Sequence, residues 1–163
     1  MISKTLEKAI NEQINKEMFS AYLYFAMAAY FDNENLEGMA AFMKKQSQEE
    51  VGHAMKFYNY VNERGGRVIL EALEKPASDF KGPKDIFEQS QKHERFITDS
   101  INKIVDLALK ENDHATREFL NWFVAEQVEE EATMDKIVSQ LKMIGDSGQA
   151  LIMMDVHLGK RGE

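Results

Sequence analysis

The sequence predicts an all-α fold: a four-helix bundle with one long crossover and a short fifth helix at the C-terminus. Three observations predict it. Only 2 prolines and 9 glycines occur in 163 residues, while Ala, Leu, Met, Glu, Lys and Gln fill long stretches, which is helix composition. Four segments of roughly thirty residues carry apolar side chains at alternating three- and four-residue steps, the spacing that keeps them on one helical face. The breaks after the first and third segments are too short for anything but antiparallel neighbours, whereas the break after the second is long.

The first helix is expected over about 3–33, with Ser3 as its N-cap. The second, 36–64, stops at Gly65 and Gly66. An irregular stretch containing Pro76 follows over 65–82. The third helix, 83–111, begins with Pro83, a residue favoured in a first turn. Asp113 caps the fourth, 113–144, which ends at Gly145, and Ser147 opens the fifth, 147–158. A basic, glycine-containing tail is expected to fray after it. A helix of about thirty residues is about 45 Å long, and about eighteen extended residues reach up to ~60 Å. The crossover can therefore run the length of the bundle and make helices two and three parallel. No repeat or composition break divides residues 1–163, which read as one domain.

Composition also excludes chemistry. With no cysteine, disulfides, thiolate metal sites, iron–sulfur clusters and cysteine nucleophiles are ruled out. A net charge of −8 suits cations and argues against a nucleic-acid partner. No run approaches the ~18 uninterrupted apolar residues of a membrane span. The N-terminal segment is charged and amphipathic rather than a signal peptide, so a cytoplasmic location is expected.

The stripes carry the functional signal. They read Ile10, Ile14, Glu17, Ala21, Tyr24, Ala28, Phe31 in the first helix and Leu36, Met39, Met43, Gln46, Glu50, His53, Phe57, Val61 in the second. The third gives Phe87, Ser90, Glu94, Ile97, Ile101, Ile104, Ala108. The fourth gives Leu120, Phe123, Gln127, Glu130, Met134, Ile137, Leu141, Ile144. Each is interrupted near its midpoint by a carboxylate, so Glu17, Glu50, Glu94 and Glu130 meet at one height. Isolated buried carboxylates cost several kcal/mol each, and no Lys or Arg lies on any stripe at that level. The missing positive charge points to bound metal. Four carboxylates and one imidazole suit iron, manganese or zinc, and Glu50 and His53, three residues apart, can address one centre together.

These helix lengths, the crossover, Glu50-x-x-His53, Gln127-x-x-Glu130, Tyr24, Trp122 and the fifth helix resemble the non-haem ferritins of bacteria and archaea over essentially the whole chain. The resemblance implies iron oxidation with O2 or H2O2 at a di-iron ferroxidase site. Glu17, Glu50 and His53 would hold the first iron, and Glu50 would bridge to a second held by Glu94 and Glu130. Gln127 would border the pair, and Tyr24 would bond a ligand carboxylate. It also implies a third iron site at Glu49, Glu126, Glu129 and Glu130; on spacing alone, Glu49, Glu126, Glu129 and Glu131 read equally well as a solvated acidic face. Haem is not expected, because Gly52 stands where the bacterioferritins carry a haem-binding methionine, and helix four lacks their second Glu-x-x-His. A di-iron peroxidase or oxygenase of the rubrerythrin type is the alternative, without that group's cysteine-rich module.

The fifth helix is apolar nearly all round, so it either plugs its own bundle or meets copies of itself. The resemblance favours copies lining a four-fold axis of a hollow shell of twenty-four subunits filled with ferric mineral. His93 and His114 are expected at the surface and His157 in a structural role. The ten methionines read as core filler, and Trp122 is expected close to the core.

Overall fold

A computed structural model describes residues 1–161. Five helices follow in order: α1 Lys4–Asn33, α2 Glu37–Glu63, α3 Pro83–Lys110, α4 His114–Ile144 and α5 Gly148–Gly159. Among the described residues there is no strand. The chain is an all-α bundle with one crossover and a short fifth helix, and among the described residues no helix is long and apolar enough to cross a membrane.

Side-chain oxygens start three of the helices. Ser3, Asp113 and Ser147 accept from the backbone N–H of Leu6, Thr116 and Ala150, satisfying donors that a helix leaves unpaired at its first turn. Both short turns rest on an asparagine in the left-handed region, Asn35 at φ 59° and Asn112 at φ 55°, a conformation asparagine tolerates better than most residues. The following amides then reach back to helix-end carbonyls: Leu36 N–H to Phe31 at 3.0 Å and Asp113 N–H to Ala108 at 2.9 Å. Gly65, at φ 71°, does the same for α2.

The crossover has no regular structure, yet it is tied down. Asn11 donates to the Arg67 carbonyl at 2.9 Å and accepts from Ile69 N–H at 2.9 Å, near the start of α1. Phe80 meets Tyr30 edge-on at 5.6 Å near its end. The segment therefore runs the length of α1 and returns the chain to the far end of the bundle.

Charged contacts fix both ends. Arg64 binds Asp113 with two bonds of 3.1 and 2.9 Å, joining the end of α2 to the start of α4. At the opposite end Asp155 of α5 accepts from Gly38 N–H at 3.2 Å and Met39 N–H at 2.7 Å, supplying the cap that α2 lacks of its own. Here α5 crosses α2 at glycines: a Cβ on Gly38 would lie 1.8 Å from the Asp155 carbonyl oxygen, and one on Gly159 would lie 2.9 Å from the Gly38 Cα.

The apolar core is in two pieces. One contains Met27, Phe31, Met39, Met43, Phe87, Met134 and Leu141, with Met154 and Leu158 of α5 against it. The other contains Leu6, Ile10, Ile14, Phe57, Val61, Ile101, Leu120 and Phe123. A polar layer separates them. The reading of all ten methionines as core filler is corrected: Met1, Met55, Met143 and Met153 are exposed. α5 both plugs and protrudes, because Met154 and Leu158 are buried while Ile152, Met153 and Val156 stay exposed.

Asp155→Ala should weaken α5 docking by about 1 kcal/mol, the ordinary cost of a lost cap. Gly38→Ala should cost more, because backbone must move. Hydrogen exchange across 148–159 tests this: faster exchange there in both variants, larger in Gly38→Ala, with α1, α3 and α4 unchanged.

Candidate metal centre

The layer between the two cores holds Glu17, Glu50, His53, Glu94, Gln127 and Glu130, all buried, with Gln13, Gln46 and Tyr24. Each long helix contributes from its midsection, so four stripes that are apolar above and below turn polar at one level.

Glu17, Glu50 and His53 form the tightest group, each offering a ligand atom within 4.8 Å of the others. His53 Nδ1 lies 3.2 Å from Glu50 Oε2 and 3.9 Å from Glu17 Oε2. Ligand atoms bound at about 2.1 Å to one ion stand roughly 3–4 Å apart, so the spacing suits a single cation. Glu17 Oε2 is the one buried side-chain polar atom without a hydrogen-bond partner among the described residues. An unpaired buried carboxylate oxygen is costly, and a metal ion would relieve it. The donor set and this orphaned atom both fit a hard divalent cation.

Glu94 faces the group from α3. Tyr24 O–H donates to its Oε1, and Gln127 Nε2 donates to its Oε2 at 3.1 Å, to its carbonyl at 3.2 Å and to Thr98 Oγ1 at 3.2 Å. Glu130 accepts from Gln46 Nε2 at 2.9 Å.

Burial raises the carboxyl pKa throughout. Glu17 and Glu50 are pushed well above the ordinary range, first by desolvation and then by a neighbouring carboxylate, Glu50 for the former and Glu94 for the latter. Glu94 is raised by burial despite the bonds from Tyr24 and Gln127. Glu130 rises to about 7, by burial and then by Glu94. Burial also raises the Tyr24 phenol well above its usual value, with the Glu94 charge adding to it.

The third-site residues are arranged differently. Glu126 is partly buried, with Oε1 3.9 Å from His53 Nε2, beyond hydrogen-bond reach. Glu129 is exposed. Glu49 accepts from Arg161 at 3.1 Å, so a side chain of the tail expected to fray is anchored. Residues 162–163 of that tail lie outside the described residues. His93, expected at the surface, is half-buried. Its Nε2 stands 2.7 Å from Ser20 Oγ and its ring packs on Phe19, Tyr24 and Phe96, so burial lowers its pKa to about 4. Trp122 is 41 % exposed, with its ring against His53 at 5.4 Å and Lys56 Nζ above it at 4.1 Å. His114 and His157 are exposed. The residues that sequence reasoning missed are Gln13 and Ser100, buried polar partners below Glu17; the signal was Gln13, four residues before Glu17 on the same face.

Two predictions follow from the charge balance. Each carboxyl has a higher pKa folded than unfolded, so the native metal-free state holds extra protons. The contribution of these carboxyls to its stability is complete below the unfolded value of about 4.5 and is lost as pH rises through the folded values. For Glu130 the change, from 4.5 to about 7, corresponds to a loss on the order of 3 kcal/mol. The thermal midpoint of metal-free protein should therefore fall between pH 5 and pH 8, and saturating Zn2+ should flatten the fall. Glu17→Gln should raise the metal-free midpoint at pH 8 while weakening Co2+ binding about tenfold or more.

The chain is similar to known proteins along nearly its whole length. A family model described as a ferritin-like domain matches residues 7–144. A bacterial non-heme ferritin of Bacteroides fragilis is 44% identical over 161 residues, covering 99% of this chain and 100% of that one. One of Campylobacter jejuni is 42% identical over 158 residues, covering 97% and 95%. Among solved structures, an open pore ferritin of the hyperthermophilic archaeon Archaeoglobus fulgidus is 47% identical, with a TM-score of 0.98 and 99% of both chains covered. The buried carboxylate layer thus sits in a chain that belongs to the ferritin family.

Proposed function

We propose that this protein is an iron-storage ferritin that oxidises Fe2+ at the buried carboxylate layer and keeps the ferric product inside a shell of its own copies. The observation that carries the reading is the orphaned Glu17 Oε2 facing Glu50 and His53 in a layer of raised carboxyls. Relatives named as non-heme ferritins support it over nearly the full chain.

Ferrous iron is the substrate. The first ion would take Glu17, Glu50 and His53, and the second would take Glu50, Glu94 and Glu130. Binding displaces the protons that burial keeps on these carboxyls, so uptake is linked to proton release. Anionic oxygen ligands favour the ferric state, and two ions side by side deliver the two electrons that take O2 to hydrogen peroxide, with two protons. Tyr24 and Gln127 hold Glu94 between them, which keeps that carboxylate aimed at the layer. Gln127 in place of a charged or imidazole ligand leaves the second position less firmly held, which suits an ion in transit. Glu49, Glu126 and Glu129 would serve as a weaker third position at the margin of the layer. The apolar outer face of α5, with Ile152, Met153 and Val156 exposed, would meet its copies in a 24-mer.

A di-iron peroxidase or oxygenase is not favoured: the chain has no cysteine for an electron-transfer module, and its relatives are named as ferritins.

Anaerobic Fe2+ mixed with aerated protein should give ferric absorbance within the first turnover, and the iron should co-elute with a large assembly at far more than two ions per subunit. His53→Ala and Glu94→Ala should slow initial oxidation at least tenfold, since even partners behind metal ligands are worth about 10- to 100-fold. Oxidation unaltered in both variants, or ferric iron that leaves the protein on gel filtration, would rule the reading out.

A further inference from the structure

Two surface cations connect to the layer through hydrogen bonds whose direction is fixed. Lys16 Nζ donates to Ser100 Oγ at 2.7 Å, Ser100 donates to Gln13 Oε1 at 2.7 Å, and Gln13 Nε2 donates to Glu17 Oε1 at 2.7 Å. An ammonium group has only donors. With that N–H aimed at its oxygen, the Ser100 hydroxyl sends its own hydrogen to Gln13. The Gln13 carbonyl is then committed, and its NH2 must face Glu17.

Arg161, just beyond α5, repeats the device on the other side. Its guanidinium, also donor-only, donates to Gln46 Oε1 and lies 4.5 Å from the centroid of the Phe42 ring. Gln46 Nε2 donates to Glu130 Oε2 at 2.9 Å. Gln13, Gln46 and Ser100 are buried, so no bulk water corrects a wrong orientation.

A glutamine amide is nearly symmetric in shape. Turned over, it would present a carbonyl oxygen to a carboxylate in a layer that already holds four. Turned as found, it occupies Glu17 Oε1 and leaves Oε2 bare toward Glu50 and His53. We infer that Lys16 and Arg161 are positioning residues, each keying the amide of a buried glutamine so that Glu17 and Glu130 present one oxygen each to a metal ion. The inference rests on the layer being the metal site.

Coulomb repulsion alone predicts the opposite sign. A cation near a metal site repels the metal, so its removal should tighten binding; loss of the key should loosen it. The test is Co2+ titration at fixed pH, read by the visible bands of bound Co2+. Lys16→Met and Arg161→Met should each weaken binding about three- to tenfold, and Lys16→Arg should restore it to within about twofold. In a Gln13→Leu background no amide remains to misalign, so adding Lys16→Met should change nothing further; Ser100→Ala should behave like Lys16→Met. Unchanged or tighter Co2+ binding in Lys16→Met overturns the relay while leaving the metal site standing. So does a Lys16→Met effect that persists in full beside Gln13→Leu. Parent protein that binds no Co2+ overturns both.

Discussion

Acidic side chains cannot be packed together out of water without something to balance them, and the rest of this molecule is arranged around that constraint. Glu17, Glu50, Glu94 and Glu130 share one buried layer, and His53 is the basic group among them. Two cations, Lys16 and Arg161, reach the layer through glutamine amides. Burial raises the pKa of each of these carboxyls, which favours their protonated form when no cation balances them. Burying them costs stability at neutral pH, a cost that the proposed divalent cation would offset.

The fold meets that cost by dividing its core. Apolar packing on both sides, including the stacked Phe57–Phe123 pair at 4.0 Å and the Phe31–Phe87 pair at 5.9 Å, holds four helices in register around the layer. Contacts at the two ends, Arg64 with Asp113 and Asp155 with the start of α2, prevent one helix from sliding past another by a turn. A slide of 5.4 Å would separate the carboxylates. Helix register is thus the quantity on which the geometry of the carboxylate layer depends.

Much of this was legible in the sequence, for a physical reason. Helical periodicity maps position onto face, so a glutamate on an apolar stripe is visible before any coordinates, and the asymmetry of connection lengths gives the topology. Side-chain contacts between distant segments are not encoded that way. His93, flanked by Lys92 and Glu94, looked like a surface residue until the approach of α1 to α3 set it against Ser20 and Phe19. Gln13 lies off the strict stripe and Ser100 is small, so neither stood out, although together they bond Glu17. Arg161 sits in a stretch whose local pattern signals fraying, and its partners Gln46 and Glu49 lie more than a hundred residues earlier. Methionine is apolar and adaptable, so its presence alone does not distinguish core from surface; side chains such as Met55 and Met143 lie on outward faces.

The proposed function depends on metal meeting protein inside the bundle. Its most direct test is anomalous diffraction at the iron edge from crystals grown with Fe2+ under anaerobic conditions. Two peaks are expected per subunit, one touching Glu17, Glu50 and His53 and the other touching Glu50, Glu94 and Glu130. Iron found only at outward-facing carboxylates such as Glu129, with no peak within the layer, would contradict it.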